Sequence, residues 1–79
     1  MAKESNIVHE YFEKEFPEAK ILVRVNPIHY TGSEITVPNE GEPELRNLQF
    51  DERIFEDLKA DGFLSCNPLE FNLYLSGLL

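Results

Sequence analysis

Two histidines and one cysteine are the first candidates for chemistry in this chain of 79 residues. His9 and Glu13 have the i, i+4 spacing that places two side chains on one face of a helix, where they could share a metal ion. No second histidine lies one turn from His9, and no ligand flanks Cys66 at zinc-finger spacing. We therefore expect no metal site, and we interpret His29 as an exposed strand residue.

Cys66 could act as a nucleophile with a histidine as its base if a cation or a helix N-terminus lowered its pKa. It directly precedes a predicted helix, which favours the thiolate slightly. A free cysteine more often packs as a small apolar side chain, and we adopt that interpretation. A single cysteine excludes an intrachain disulfide, and we find no signal peptide, so we expect a cytoplasmic protein.

The acidic residues are numerous but show no catalytic pattern. Fifteen Asp and Glu residues make close pairs such as Glu42 and Glu44 unavoidable. Acid–base catalysis requires two carboxyl groups whose surroundings separate their pKa values, and a sequence cannot show this. We find no phosphate-binding glycine loop, no nucleophile elbow and no helical pair of metal-binding histidines. We therefore predict that the protein is not an enzyme and uses no cofactor.

The net charge of −8 limits the possible partners. Nucleic acids and anionic membranes would repel such a chain, and no segment is long and apolar enough to span a bilayer. We therefore expect neither a nucleic acid nor a membrane as partner. An alternative hypothesis is that the acidic surface, with Glu40, Glu42 and Glu44, mimics a nucleic acid and blocks a basic protein.

An N-terminal helix is the first predicted element. The apolar residues at 8, 12 and 16 and at 7 and 11 recur every four residues, as on one face of a helix. Ser5 or Asn6 could cap its start, and Pro17 should end it at Phe16.

Strands are predicted in the middle of the chain. Ile21, Val23 and Val25 alternate as in a strand whose one face is buried. Residues 28–37 fit a hairpin that turns at 31–33, and residues 38–44 form an acidic loop containing proline and glycine. The segment 45–50 fits a strand or a short helix, and we favour the strand.

Two helices are predicted in the last third of the chain. Asp51 can cap a helix over 52–60, and Gly62 can end it in a left-handed conformation. The segment from residue 68 alternates like a strand, but Asn67, Pro68 and Glu70 fit an N-cap, a first helical residue and a capping box. We choose the helix because capping chemistry depends on position.

These elements predict a single α+β domain over residues 1–79. It has a small antiparallel sheet of two or three strands, an N-terminal helix, and two C-terminal helices on one sheet face. The two C-terminal helices, with the hairpin as a wing, suggest a winged helix-turn-helix, but the last helix carries no Lys or Arg to contact DNA.

The segment from Phe71 to Leu79 carries no charge. It could fill the core of a small domain or present an apolar patch to a partner. Our leading hypothesis is a non-enzymatic protein-interaction module, possibly a homodimer, whose interaction surface would comprise Phe71, Tyr74, Leu78 and Leu79. A further hypothesis is a small-molecule or metal-binding domain around His9, Glu13 or Cys66.

Overall fold

The protein folds as one five-stranded antiparallel sheet with a helix on each face. The computed structural model describes the backbone of residues 8–78 and the side chains of residues 8–77. The elements in chain order are β1 (Glu10–Glu15), β2 (Ala19–Val25), β3 (Thr31–Pro38), β4 (Glu44–Gln49), α1 (Ile54–Ala60), β5 (Leu64–Ser65) and α2 (Pro68–Leu78). The strands are ordered β4-β3-β2-β1-β5 across the sheet. Neither described helix is long and apolar enough to cross a membrane.

Two apolar clusters lie on opposite faces of the sheet. Because side chains alternate across a strand, Leu22 of β2 faces α2 while its neighbours Val23 and Val25 face α1. The cluster on the α2 side contains Leu22, Ile35, Cys66 and Phe71, with Tyr11, Val37, Leu45, Tyr74 and Leu75 against it. The cluster on the α1 side contains Val23, Val25 and Leu58, with Phe12, Ile21, Phe50, Ile54, Phe55 and Phe63 against it.

The predicted N-terminal helix is wrong, because residues 10–15 form strand β1. Tyr11 and Phe12 are adjacent in sequence, and each packs on a different face of the sheet. A strand covered on both faces carries consecutive apolar residues, so its pattern resembles the pairs that recur on a helix. Ser5 and Asn6, the proposed caps, lie outside the described residues.

The predicted sheet of two or three strands is also wrong, as is the placement of both C-terminal helices on one face. The sheet has five strands, and β5, with two residues, is too short to show a pattern. The β2–β3 turn comes earlier than predicted, because the Asn26 Oδ1 accepts hydrogen bonds from the backbone N–H groups of Ile28 and His29 at 2.8 and 3.1 Å. Tyr30 then reverses the chain with a positive φ of 57°.

Gly32 lies inside β3 and not in a turn. A Cβ at this position would overlap the backbone oxygen of Arg24 and lie 2.7 Å from Cε2 of Phe50. The glycine is therefore required by the close approach of its neighbours, as is common for a glycine inside a strand.

The two C-terminal helices lie close to their predicted positions. Asn67 caps α2, because its Oδ1 accepts a hydrogen bond from the N–H of Leu69 at 2.8 Å. Helix α1 begins at Ile54, two residues later than predicted, and the Oδ1 of Asp51 accepts a hydrogen bond from the N–H of Arg53 at 2.8 Å in the turn before it. Gly62, with a φ of +89°, follows the end of α1 in the predicted left-handed conformation.

Candidate functional site

A cluster of four polar side chains lies between α2 and the sheet. Strand β1 contributes Glu13, β2 contributes Lys20, and the first turn of α2 contributes Glu70. Cys66 lies two residues before the start of α2. One ligand atom from each of Glu13, Cys66 and Glu70 lies within 4.8 Å of the other two. The ammonium of Lys20 lies between the carboxylates, 3.0 Å from Oε1 of Glu13 and in an ion pair with Glu70.

The surroundings of Cys66 keep its thiol protonated. Burial, followed by the negative charges of Glu13 and Glu70, raises the pKa of Cys66 to about 11. The Sγ donates to Oε1 of Glu70 at 3.7 Å and to the carbonyl of Asn67 at 3.4 Å. Since the thiolate is the nucleophile, this cysteine is poorly suited to attack a substrate at neutral pH. The nearby helix N-terminus does not outweigh burial and the two carboxylates.

Lys20 supplies the positive charge that a metal ion would bring to this cluster. Its hydrogen bond lowers the pKa of Glu70, and the same bond raises the pKa of Lys20. A metal ion would have to displace the ammonium and also deprotonate Cys66. The arrangement is therefore an ion network that attaches α2 to β1 and β2, not a metal centre.

His9 does not join the residues with which the sequence grouped it. Glu13 and Cys66 come together in the polar cluster, whereas His9 lines a different pocket with Arg24. Burial, and then the charge of Arg24, lowers the pKa of His9. His29 is exposed in the β2–β3 turn and not in a strand.

The pocket beside His9 has a volume of about 420 Å³. Its polar wall follows one row of the sheet, because Arg24 of β2 pairs with Ser33 of β3, which pairs with Asn47 of β4. Arg24 was not predicted as a site residue, although a charged residue between the buried Val23 and Val25 was a visible signal in the sequence.

An apolar groove of about 610 Å³ lies on the other side of the sheet. Its walls include the aromatic rings of Phe12, Phe55 and Phe63, and its ionisable side chains are Glu10 and Lys59. Neither of these side chains forms an ion pair with another described residue. The groove therefore offers mainly apolar contact area.

The outer face of α2 exposes different residues from those predicted. Phe71 is completely buried and contacts the ring of Tyr11, with ring centroids 5.6 Å apart, so it cannot contact a partner. Tyr74 is half-buried against the same core. The exposed apolar side chains are Leu69 and Leu73, at 68% and 72% exposure. The side chain of Leu78 and the whole of Leu79 lie outside the described residues.

The carboxylates proposed to mimic a nucleic acid lie together at one end of the sheet, and other carboxylates lie at the opposite end. Glu40 and Glu42 lie in the loop after the end of β3, and Glu44 is the first residue of β4. The acidic residues of α1 lie near the beginning of β3, where the rings of Tyr30 and Phe55 have centroids 6.5 Å apart. This separation does not favour mimicry, which stays a prediction.

Comparison with protein-family models, with curated proteins and with solved structures finds no match for this chain.

Proposed function

We propose that this protein is a non-enzymatic interaction module that self-associates through the outer face of α2. The observation that supports the proposal is the exposure of Leu69 and Leu73, which lie one helical turn apart on a helix of 11 residues. Large apolar side chains grouped on one face of a helix favour association, because contact removes them from water.

The distribution of charge favours a second copy of the chain as the partner. With a net charge of −8, two copies repel each other wherever their acidic surfaces meet. Helix α2 carries one charged residue, Glu70, and Lys20 neutralises it within the same molecule. The outer face of α2 is therefore a surface on which two copies can meet without placing like charges in contact.

A two-fold axis beside α2 would place Leu69 and Leu73 of one copy against the same residues of the other. The interface would be self-complementary, as in most small homodimers. Helix α2 is about 16 Å long, so its outer face alone buries less than the roughly 800 Å² per partner of a stable complex. We therefore expect a weak dimer with a dissociation constant on the order of 100 μM.

Sedimentation velocity of the full chain between about 10 μM and 1 mM tests the proposal. The wild-type protein should change from monomer to dimer, and the double variant Leu69→Gln/Leu73→Gln should stay monomeric over this range. Both side chains are exposed and glutamine is a good helix former, so the variant should fold. Ile28→Gln is the matched control, because it removes an exposed apolar side chain (61%) from the β2–β3 turn.

Two results would contradict the proposal. One is a wild-type protein that stays monomeric at the highest concentration in 0.15 M salt, where charge repulsion is screened within about 8 Å. The other is a dimer that the double variant leaves intact or that Ile28→Gln disrupts to the same extent.

A further inference from the structure

Arg24 is a cation held against the sheet without a described counterion. Its guanidinium carbon lies 5.2 Å from the centroid of the Phe71 ring, and its Nε is buried with no hydrogen-bond partner. The ion pairs between described residues join Lys20 to Glu13 and Glu70 and Arg46 to Glu34, and none includes Arg24. A partly desolvated cation in this state attracts an anion from solution.

The pocket that Arg24 lines presents further hydrogen-bond donors. The hydroxyl of Ser33 donates to Oδ1 of Asn47 at 2.9 Å, which leaves the amide NH₂ of Asn47 to donate elsewhere. His9 adds a ring nitrogen to the same pocket. Gly32 and Leu48 complete the wall through their backbone, because Leu48 pairs with Gly32 and its side chain lies on the other face of the sheet. The pocket thus combines one guanidinium with neutral donors.

We propose that this pocket binds a small organic monocarboxylate, with the carboxylate on Arg24 and Asn47 and the organic group in the remaining space of the pocket. The planar guanidinium matches a carboxylate, which can accept two parallel hydrogen bonds from it. The volume of about 420 Å³ exceeds what a carboxylate alone would occupy, so it has room for a short organic group.

A monoanion suits the charge of the pocket better than a dianion. Arg24 supplies one permanent positive charge, and His9 is neutral at pH 7 because its pKa is lowered. The chain as a whole carries a net charge of −8 and repels a dianion more strongly than a monoanion.

An NMR titration of the full chain with sodium butyrate, at constant ionic strength adjusted with sodium chloride, tests this inference. We expect saturable shifts of the backbone amides of Arg24, Gly32, Ser33 and Asn47. Arg24→Gln should weaken binding at least tenfold, and Asn47→Ala, at an exposed position, should weaken it several-fold. Arg53→Gln is the matched control, because it removes an exposed arginine before α1 and should leave binding unchanged.

Further ligands distinguish the possible sources of the anion. Titration with acetyl-dialanine shows whether the carboxylate of a peptide C-terminus binds in the same pocket as butyrate. Its C-terminal amide lacks the carboxylate and should not bind, whether the natural ligand is a peptide or a free acid. Tighter binding of inorganic phosphate than of butyrate overturns the monocarboxylate assignment. Shifts that do not saturate, or that persist unchanged in Asn47→Ala and in folded Arg24→Gln, overturn the site itself.

Discussion

Slow alkylation of Cys66 is the sharpest consequence of the polar cluster under α2. The pKa of its thiol rises from 9.0 to about 11 on folding. At pH 8 both values lie above the solution pH, so a difference of two units lowers the thiolate fraction about 100-fold. Since the thiolate is the reacting species and a more basic thiolate is intrinsically more nucleophilic, the raised pKa alone should make native Cys66 react with iodoacetamide about tenfold more slowly than the urea-unfolded chain. The low exposure of the side chain (8%) slows the native reaction further.

A variant of Glu70 separates the electrostatic cause from simple burial. Glu70→Gln removes a negative charge and the carboxylate that accepts a hydrogen bond from the thiol. The positive charge of Lys20, which lowers the pKa of Cys66, is then opposed by Glu13 alone. The pKa of Cys66 should fall, and alkylation should become about three- to tenfold faster. Glu56→Gln, at an exposed position on α1, is the matched control and should not change the rate.

The assay is mass spectrometry of the alkylated fraction over time at several pH values. Urea unfolding of each variant must accompany it, because a destabilised protein exposes Cys66 by opening. If native Cys66 reacts within about threefold of the unfolded rate at pH 8, the raised pKa is refuted. If Glu70→Gln reacts at the wild-type rate, the role assigned to the carboxylate is refuted, even where burial still protects the thiol.

Two further predictions concern stability. The pKa of Cys66 is about 11 in the folded chain and 9.0 in the unfolded chain. Between these values the unfolded chain loses the thiol proton first, so the folded state loses stability as the pH rises from 9 to 11. The free energy of unfolding by urea should fall by about 2 kcal/mol between pH 8 and 11 from this source, and Cys66→Ala should show a correspondingly smaller fall. Gly32→Ala should cost more than about 2 kcal/mol, because its Cβ would force β3 away from Arg24. Gly77→Ala, whose Cβ would meet nothing within 4 Å, should instead be neutral or stabilise by up to about 1 kcal/mol; equal thermal denaturation of the two variants would contradict the steric reasoning.

The ends of the two helices were predictable from the sequence because they depend on neighbouring residues. Asn67 caps α2 through a hydrogen bond to a residue two positions away. Gly62 ends α1 because its own φ is positive. Such interactions act within a few residues, so the residue types and their order are sufficient to predict them.

The polar cluster and the Arg24 pocket could not be read from spacing. His9 and Glu13 are four residues apart but lie in different sites, whereas Lys20 and Glu70 are 50 residues apart and form an ion pair. Contacts of this kind depend on strand order and register. The lone arginine in β2 was visible in the sequence, but the neighbours that surround it were not.

The acidic charge, the two C-terminal helices and the alternating strand at 21–25 were predictable from the residue types and their order. That helices cover both faces of the sheet was not predictable in this way, and it makes residues 10–15 a strand despite their helical spacing. The spacing of apolar residues depends on how many faces of an element are buried, and the number of buried faces depends on elements distant in the chain. The same long-range packing decided that Phe71 lies in the core while Leu69 and Leu73 face outward.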